Sequence, residues 1–183
     1  MHTKKKPRKN KKFRFMLLHQ WLINNIKPCN AADVGGGKGL LAYLLDKDGW
    51  NVTVIDPEYQ ELPVKYTDLN KKKNKINIDE KVVRINKGFS YEMVNDYDLI
   101  IGLHAHGVNM NIIKACKEYG KSFVLFPCCV IDEPIEKKQD LNWIKSLEDY
   151  ALSLDIHTEK IKLDMVGNNI GLIWIKKELR VES

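Results

Sequence analysis

A glycine-dense turn between two apolar stretches most constrains what this chain can fold into. The segment reads Ala31-Ala32-Asp33-Val34-Gly35-Gly36-Gly37-Lys38-Gly39-Leu40-Leu41. Glycines at 35, 37 and 39 allow backbone angles that other residues rarely adopt, and they let a ligand approach the backbone closely. A helix that begins after Gly39 would present free backbone N–H groups to a carboxylate or a phosphate. The turn therefore predicts a strand–turn–helix unit that binds an anionic group.

An acidic residue at the end of a second apolar run completes this pattern. The run Asn51-Val52-Thr53-Val54-Ile55 reads as a strand, and Asp56 follows it, 17 positions after Gly39. A carboxylate in this place can accept hydrogen bonds from both hydroxyls of a ribose. Together the turn and Asp56 predict a site for a nucleoside cofactor. The alternative is a plain strand–helix turn in which Asp56 caps a helix before Pro57.

The order of the apolar segments predicts an α/β fold. Helices are expected at about 15–26, 40–47, 108–119 and 141–154, and strands at 31–34, 51–55, 82–85, 97–103, 122–126, 158–163 and 170–176. This alternation predicts a single Rossmann-like domain with a mainly parallel seven-stranded sheet, helices on both faces and a C-terminal antiparallel hairpin. Residues 57–69 are expected to form a short helix or an irregular loop, and residues 70–75 a basic surface loop.

Positive charge is concentrated at the start of the chain. Residues 1–14 hold eight Lys or Arg residues and no acid, whereas the remainder has 22 basic and 24 acidic residues. Such arms commonly hold a polyanion through its phosphates, although a solubilising tail would have the same composition. We expect residues 1–12 to be a flexible basic arm before a domain at 13–183. The expected partner is a polyanion, bound through Lys4–Arg14 and Lys71–Lys75.

Several sequence features bear on the compartment. No apolar run approaches the roughly 18 residues that cross a bilayer, and the first fourteen residues lack the apolar core of a secretion signal. The four cysteines include no Cys-x-x-Cys spacing, which argues against a zinc ribbon or finger. We therefore expect a cytoplasmic protein with reduced thiols and no membrane partner.

The turn departs from two other nucleotide-binding patterns. Leu40-Leu41-Ala42 stands where a dinucleotide fold would carry its third glycine, and Lys38 is not followed by the Ser or Thr of a P-loop. The pattern Asp-Val-Gly-x-Gly-x-Gly, the acid after the second strand and the closing hairpin resemble the class I S-adenosylmethionine-dependent methyltransferases. The resemblance covers roughly residues 29–176.

This resemblance implies S-adenosylmethionine as the cofactor and suggests a role for individual residues. Asp33, Gly35 and Gly37 would hold the methionine part, and Asp56 would bind the ribose hydroxyls. Gly88-Phe89 would face the adenine, although the acid often found there is missing from this sequence. The expected cofactor residues are Asp33, Gly35, Gly36, Gly37, Gly39, Asp56, Pro57, Gly88, Phe89, Leu103 and His104.

The segments after the fourth and fifth predicted strands bear on the methyl acceptor. The Asn/Asp-Pro-Pro-Tyr of enzymes that methylate exocyclic amines is absent. Instead, Gly35–Gly39, His104–Gly107 and Pro127–Cys129 resemble the transfer-RNA ribose 2′-O-methyltransferases and their relatives. This implies an RNA acceptor, transfer RNA in particular, bound through Lys4–Arg14 and Lys71–Lys75 and methylated on a ribose oxygen. A non-catalytic RNA-binding protein of the same fold and a small-molecule methyltransferase are the alternatives.

Two histidines and two cysteines in these segments are candidates for chemistry. His104, and next His106, could accept the proton of a hydroxyl, or could simply hydrogen-bond the loop backbone. Cys128 occupies the place of the nucleophile in RNA cytosine-C5 methyltransferases, without their acidic partner. The four side chains could also converge and bind zinc, but adjacent cysteines rarely both ligate one ion. Small buried thiols are the remaining alternative, and we assign no metal.

Overall fold

A seven-stranded sheet forms the centre of the chain in the computed structural model, which describes residues 13–135, 142–165 and 167–182. The helices are α1 (Arg14–Asn25), α2 (Leu40–Lys47), α3 (Asn109–Tyr119) and α4 (Trp143–Ser153). The strands are β1 (Asn30–Val34), β2 (Asn51–Ile55), β3 (Lys65–Thr67), β4 (Lys73–Lys75), β5 (Val83–Ile85), β6 (Leu99–Leu103), β7 (Ser122–Phe126), β8 (Glu159–Lys162) and β9 (Ile170–Trp174). Short 3-10 helices lie at Tyr91–Asp96 and Lys177–Leu179.

The large sheet has the strand order β5-β2-β1-β6-β7-β9-β8. The pairs from β5 to β7 are parallel, and β9 runs antiparallel to both β7 and β8. The expected parallel sheet with an antiparallel terminal hairpin is therefore confirmed. Because β1 lies between β2 and β6, the carboxyl ends of these three strands meet at one edge, where the strand order reverses. Open α/β sheets bind their ligands at such a point.

Helices cover both faces of the sheet, as the alternating pattern predicts. One face packs against α1 and α2 through residues such as Leu18, Leu22, Leu41 and Leu45. The other packs against α3 and α4 through residues such as Ile112, Ile113, Leu147 and Ala151. Every residue of β6 and β7 is buried, because a central parallel strand contacts a helical layer on each side. This double burial explains their uninterrupted apolar sequence.

The segments expected to be irregular around residues 57–75 contain a second, two-stranded sheet. β3 and β4 pair antiparallel, with Tyr66 opposite Asn74, so the short helix or irregular loop expected at 57–69 is wrong for β3, and the loop expected at 70–75 is wrong for β4. Asp68 holds the turn between them, since its carboxylate accepts hydrogen bonds from Lys72 N at 2.9 Å and from Asn74 Nδ2 at 3.1 Å. The lysines of both strands are exposed. No apolar alternation marks this hairpin, because a side-chain hydrogen-bond network rather than a buried face fixes it.

The basic arm predicted at residues 1–12 lies outside the described residues, and Arg14 is the only residue of the predicted arm segment Lys4–Arg14 that α1 contains. Within the described part of the chain, no helix is long and apolar enough to cross a membrane.

Two glycines that flank α2 offer a matched test of crowding. Gly39 and Gly49 have φ values of 77° and 83°, but a Cβ at Gly39 would lie 2.8 Å from Val82 Cγ2, whereas one at Gly49 would meet nothing within 4 Å. Gly49→Ala is expected to lower the free energy of unfolding by roughly 1–2 kcal/mol, because a left-handed backbone is unfavourable for alanine. Gly39→Ala should lower the free energy of unfolding by about 1–3 kcal/mol more than Gly49→Ala does, because its Cβ would overpack the site. Urea denaturation measures both values, and equal losses would contradict the crowding.

Candidate functional site

The glycine turn after β1 needs glycine for two different reasons. Gly35, Gly37 and Gly39 have positive φ values of 67°, 53° and 77°. These are left-handed conformations, which glycine adopts without the steric cost that a Cβ atom would bring. Gly36 meets a different requirement, because a Cβ there would lie 2.5 Å from Asp33 Oδ2. The turn is thus folded tightly over the buried carboxyl of Asp33, and its backbone is left accessible on the outer side at Gly35, which is exposed.

Asp56 joins the end of β2 to this turn. Its Oδ2 accepts a hydrogen bond from Gly37 N at 2.9 Å, and its Oδ1 accepts one from Glu58 N at 2.9 Å. Pro57, between them, is exposed. Each carboxylate oxygen has two lone pairs, so Asp56 can still accept hydrogen bonds from the two hydroxyls of a ribose. The geometry therefore fits the expected role of Asp56.

Asp33 is buried beneath the turn, and the half-buried Arg84 lies close enough for its charge to act on it. Asp33 is 2% exposed, and no described donor lies within hydrogen-bond distance of its Oδ2. Burial raises the pKa of Asp33 to about 7; the positive charge of Arg84 opposes this shift, and the negative charge of Asp56 adds to it. Arg84 Nη2 donates to Gly37 O at 2.8 Å. Sequence reasoning missed Arg84, although a cation inside the apolar run Val82–Ile85 was a visible signal.

These groups suit the two polar ends of S-adenosylmethionine. The carboxylates of Asp33 and Asp56 match an ammonium group and ribose hydroxyls, respectively. The start of α2 has no side-chain cap, so its backbone N–H groups remain available for a carboxylate. The buried, unpartnered oxygen of Asp33 is the strongest indication, because such an atom is unfavourable unless a cation or donor comes close.

The end of β6 brings Leu103 and His104 to the same edge. Leu103 is 5% exposed. His104 has an unusual φ of 61°, and both of its ring nitrogens have protein partners. Nε2 lies 3.1 Å from Asn168 O, to which it donates, and Nδ1 lies 3.5 Å from Arg14 Nη1, from which it accepts. A role for His104 as a general base would require one of these partners to be replaced.

The loop after β6 is packed between the glycine turn and the loop after β7. A Cβ at Gly35 would lie 3.0 Å from Ala105 Cβ, and one at Gly107 would lie 2.8 Å from Asp132 Cβ. Gly107 has a φ of 67°, so its conformation also favours glycine. These close approaches fix the position of His106, which projects from the same loop and is exposed.

His106, Cys128 and Cys129 converge at this loop. One ligand atom from each lies within 4.8 Å of the others, and the two sulfur atoms are 3.5 Å apart. Burial, followed by the neighbouring Cys129, raises the pKa of Cys128 to about 11, so at neutral pH its side chain is a thiol and a poor nucleophile. The convergence considered from sequence is thus present for three of the four side chains, whereas His104 turns towards Arg14 and Asn168.

The residues expected to face the adenine lie farther along the same edge, after β5. Gly88 is exposed, and a Cβ there would meet nothing within 4 Å. Phe89 is half-buried and packs against the apolar layer of α3 and α4. No described contact joins either residue to the turn, so their role in binding adenine stays a prediction.

A cavity of about 650 Å³ opens beside the turn. It lies between α1, the turn and the β3–β4 hairpin, and it is lined by Arg14, Phe15, Met16, Gly35, Gly36, Gly37, Lys38, Leu40, Gln60, Pro63, Lys65, Tyr66, Thr67, Lys73 and Leu103. Four of these residues are cations, and none of the described lining residues carries a carboxylate. Sequence reasoning gave no indication of this cavity, because its walls come from several segments that are far apart along the chain.

Comparisons with known proteins agree with this architecture. The family model described as tellurite resistance protein TehB matches residues 1–118, and no curated protein matches the chain. The ribosomal protein L11 methylase from Lactobacillus delbrueckii subsp. bulgaricus is 15% identical, with a TM-score of 0.52 over 91% of this chain and 79% of its own. Precorrin-6y C5,15-methyltransferase from Geobacter metallireducens GS-15 is 10% identical, with a TM-score of 0.51 over 87% and 86%. Both structures share the fold.

Proposed function

The chain belongs to the TehB family of S-adenosylmethionine-dependent methyltransferases, and from this premise we propose that its methyl acceptor is RNA, at a ribose 2′-hydroxyl. The cofactor and the reaction type follow from the family, whereas the acceptor does not. The observation that carries the acceptor is the cationic cavity beside the cofactor turn. The resemblance to transfer-RNA ribose methyltransferases further favours transfer RNA as the form of RNA.

The charge of the cavity favours a phosphate-bearing acceptor. Arg14, Lys38, Lys65 and Lys73 all line it. In the described part of the chain, the ion pairs within 4.0 Å involve other cations. Cations without a carboxylate partner attract phosphates and release counterions when they bind them. The cavity therefore suits a polyanion better than a neutral metabolite.

Aromatic side chains in the same cavity favour a nucleotide over a bare phosphate. Phe15 and Tyr66 line the cavity together with the four cations. Proteins recognise single-stranded RNA by stacking unpaired bases on aromatic rings while lysine and arginine hold the backbone. A cavity that offers both kinds of contact is suited to one splayed nucleotide and its flanking phosphates.

Methyl transfer requires this chain mainly to align the reacting atoms. When bound, S-adenosylmethionine supplies an electrophilic methyl group. The fold must hold the acceptor oxygen in line with that group, and the loops after β1 and β6, which pack together at Gly35 and Ala105, can provide a rigid wall for it. The hydroxyl becomes strongly acidic as the methyl group is transferred, so its proton can pass to water. Because both ring nitrogens of His104 have partners, its part in this scheme is positioning.

A small anion is the second candidate acceptor. The description of the matching family names resistance to tellurite, an oxyanion. The four cations that would hold phosphates could equally hold a small oxyanion, in which case the basic residues beyond the cavity would have no part in binding.

One labelling experiment separates these acceptors. The full chain is incubated with methyl-labelled S-adenosylmethionine and either unmodified transfer RNA or tellurite, and RNA digests are analysed by mass spectrometry. We expect label on a ribose oxygen. Label on a base would refute the ribose assignment, and a labelled product formed from tellurite but not from RNA would replace RNA with the small anion.

A charge-matched pair of variants tests the cavity directly. Changing Lys65 and Lys73 together to glutamine is expected to weaken RNA binding and to reduce the salt dependence by about one to two released counterions. Changing Lys160 and Lys162 together to glutamine removes the same charge from the exposed edge strand β8. Filter binding across a salt series compares the two. Equal losses would mean that only the net charge matters and that the cavity has no special role.

A further inference from the structure

We propose that His106, Cys128 and Cys129 bind one Zn²⁺ ion and leave its fourth coordination position open. The first observation is the convergence itself, since one nitrogen and two sulfur atoms lie within 4.8 Å of one another. Two thiolates and one imidazole form a ligand set that proteins use for zinc with an open position. No other part of the proposed function requires these three side chains together.

The distance between the two sulfurs fits one tetrahedral ion. Zinc binds sulfur at about 2.3 Å, and two such bonds at a tetrahedral angle place the sulfurs about 3.8 Å apart. In the structure, Cys128 Sγ and Cys129 Sγ are 3.5 Å apart. The change needed is a few tenths of an ångström, which side-chain rotation can supply. Adjacent cysteines, which argued against a shared ion on the sequence alone, thus meet the geometric requirement here.

Three separate segments hold the ligands in place. The Gly35–Ala105 and Gly107–Asp132 approaches fix the loop that carries His106. The carbonyl of Cys128 accepts a hydrogen bond from Asn168 Nδ2 at 2.7 Å, which ties the cysteines to the turn between β8 and β9. Such support from surrounding groups orients metal ligands before the ion binds. The cluster is therefore part of the packed fold and does not depend on one mobile loop.

The position of the cluster relates it to the methyl-transfer site. Cys128 Sγ lies 3.8 Å from His104 O, at the end of β6, and the neighbouring Ala105 touches the glycine turn. An ion held by three protein ligands can take a group from a substrate as its fourth ligand. We assign this open position to an oxygen atom of the acceptor, an assignment that rests on the proposed function. Zinc binding itself does not depend on which acceptor is used.

The balance of protons gives the first test. Cysteine binds zinc as a thiolate, so binding Zn²⁺ through two thiol ligands should release about two protons. Adding one equivalent of ZnSO₄ to the reduced full-length protein in weak buffer measures this release. Two protons per chain, saturating at one equivalent, are expected. A release below one proton, or no saturation, would overturn the proposal.

Cobalt substitution and variants provide the second test. With Co²⁺, the reduced protein should develop the intense visible bands of tetrahedral coordination together with thiolate-to-cobalt charge transfer. Cys128→Ser, Cys129→Ser and His106→Gln should each weaken Co²⁺ binding at least about ten-fold. Cys29→Ser is the matched control, because Cys29 is also a half-buried free thiol but lies outside the cluster, and it should leave both spectrum and affinity unchanged. A spectrum that is insensitive to His106→Gln, or equally sensitive to Cys29→Ser, would refute the assigned ligands.

Discussion

Replacing Asp56 with alanine is expected to lower the affinity for S-adenosylmethionine at least about 100-fold. The carboxylate would lose its hydrogen bonds to the ribose, each worth about 1.5–3 kcal/mol for a charged acceptor, and 1.4 kcal/mol corresponds to a factor of ten in affinity. The same change would leave Gly37 N and Glu58 N without the acceptor they now share, so the turn itself would loosen.

Isothermal titration calorimetry of the full chain measures this loss. Asp56→Asn should fall between the wild type and Asp56→Ala, because the amide keeps one oxygen as an acceptor and loses the charge. Asp79→Ala removes one exposed carboxylate outside the site and should bind the cofactor like the wild type. Wild-type affinity in Asp56→Ala would place the ribose elsewhere.

The sequence predicts the sheet well because most of its strands are buried on both faces. β2 and β7 begin and end at the predicted residues, and the glycine turn fixes the start of α2 at Leu40. The β3–β4 hairpin could not be predicted in this way. Its register depends on the hydrogen bonds of Asp68, and a lone polar side chain leaves no period in the sequence.

The candidate site likewise has one part that the sequence predicts and another that it does not. The turn and Asp56 could be predicted because glycine and a carboxylate at that spacing carry their chemistry locally. The cavity could not, since its cations come from α1, the turn and the hairpin. The sequence also did not indicate which of the two histidines would lie beside the cysteines. His104 adopts a φ of 61° and turns towards Arg14 and Asn168, whereas His106, two residues later, reaches the sulfurs. The backbone conformation of this loop determines which histidine reaches the sulfurs, and that conformation depends on packing against the glycine turn.

The buried carboxyl of Asp33 should make the stability of the protein depend on pH. Its pKa is about 7 in the folded chain, raised by burial from its usual value of 3.8. Between these two values the folded protein keeps a proton that the unfolded chain has released. The free energy of unfolding should therefore fall as pH rises from about 4 to about 7, by at most about 1.4 kcal/mol per pH unit from this group. Above that window the contribution is constant.

Asp33→Asn isolates this contribution, because asparagine has the same shape and does not titrate. Urea unfolding of both proteins, without cofactor, at intervals from pH 4.5 to pH 8 gives the difference in their free energies of unfolding. We expect the variant to gain on the wild type steadily up to about pH 7 and to keep a constant advantage beyond it. Asp79→Asn, at an exposed position, should run parallel to the wild type. If Asp33→Asn also runs parallel, the carboxyl is ionised throughout, and the positive charge of Arg84 outweighs the effect of burial.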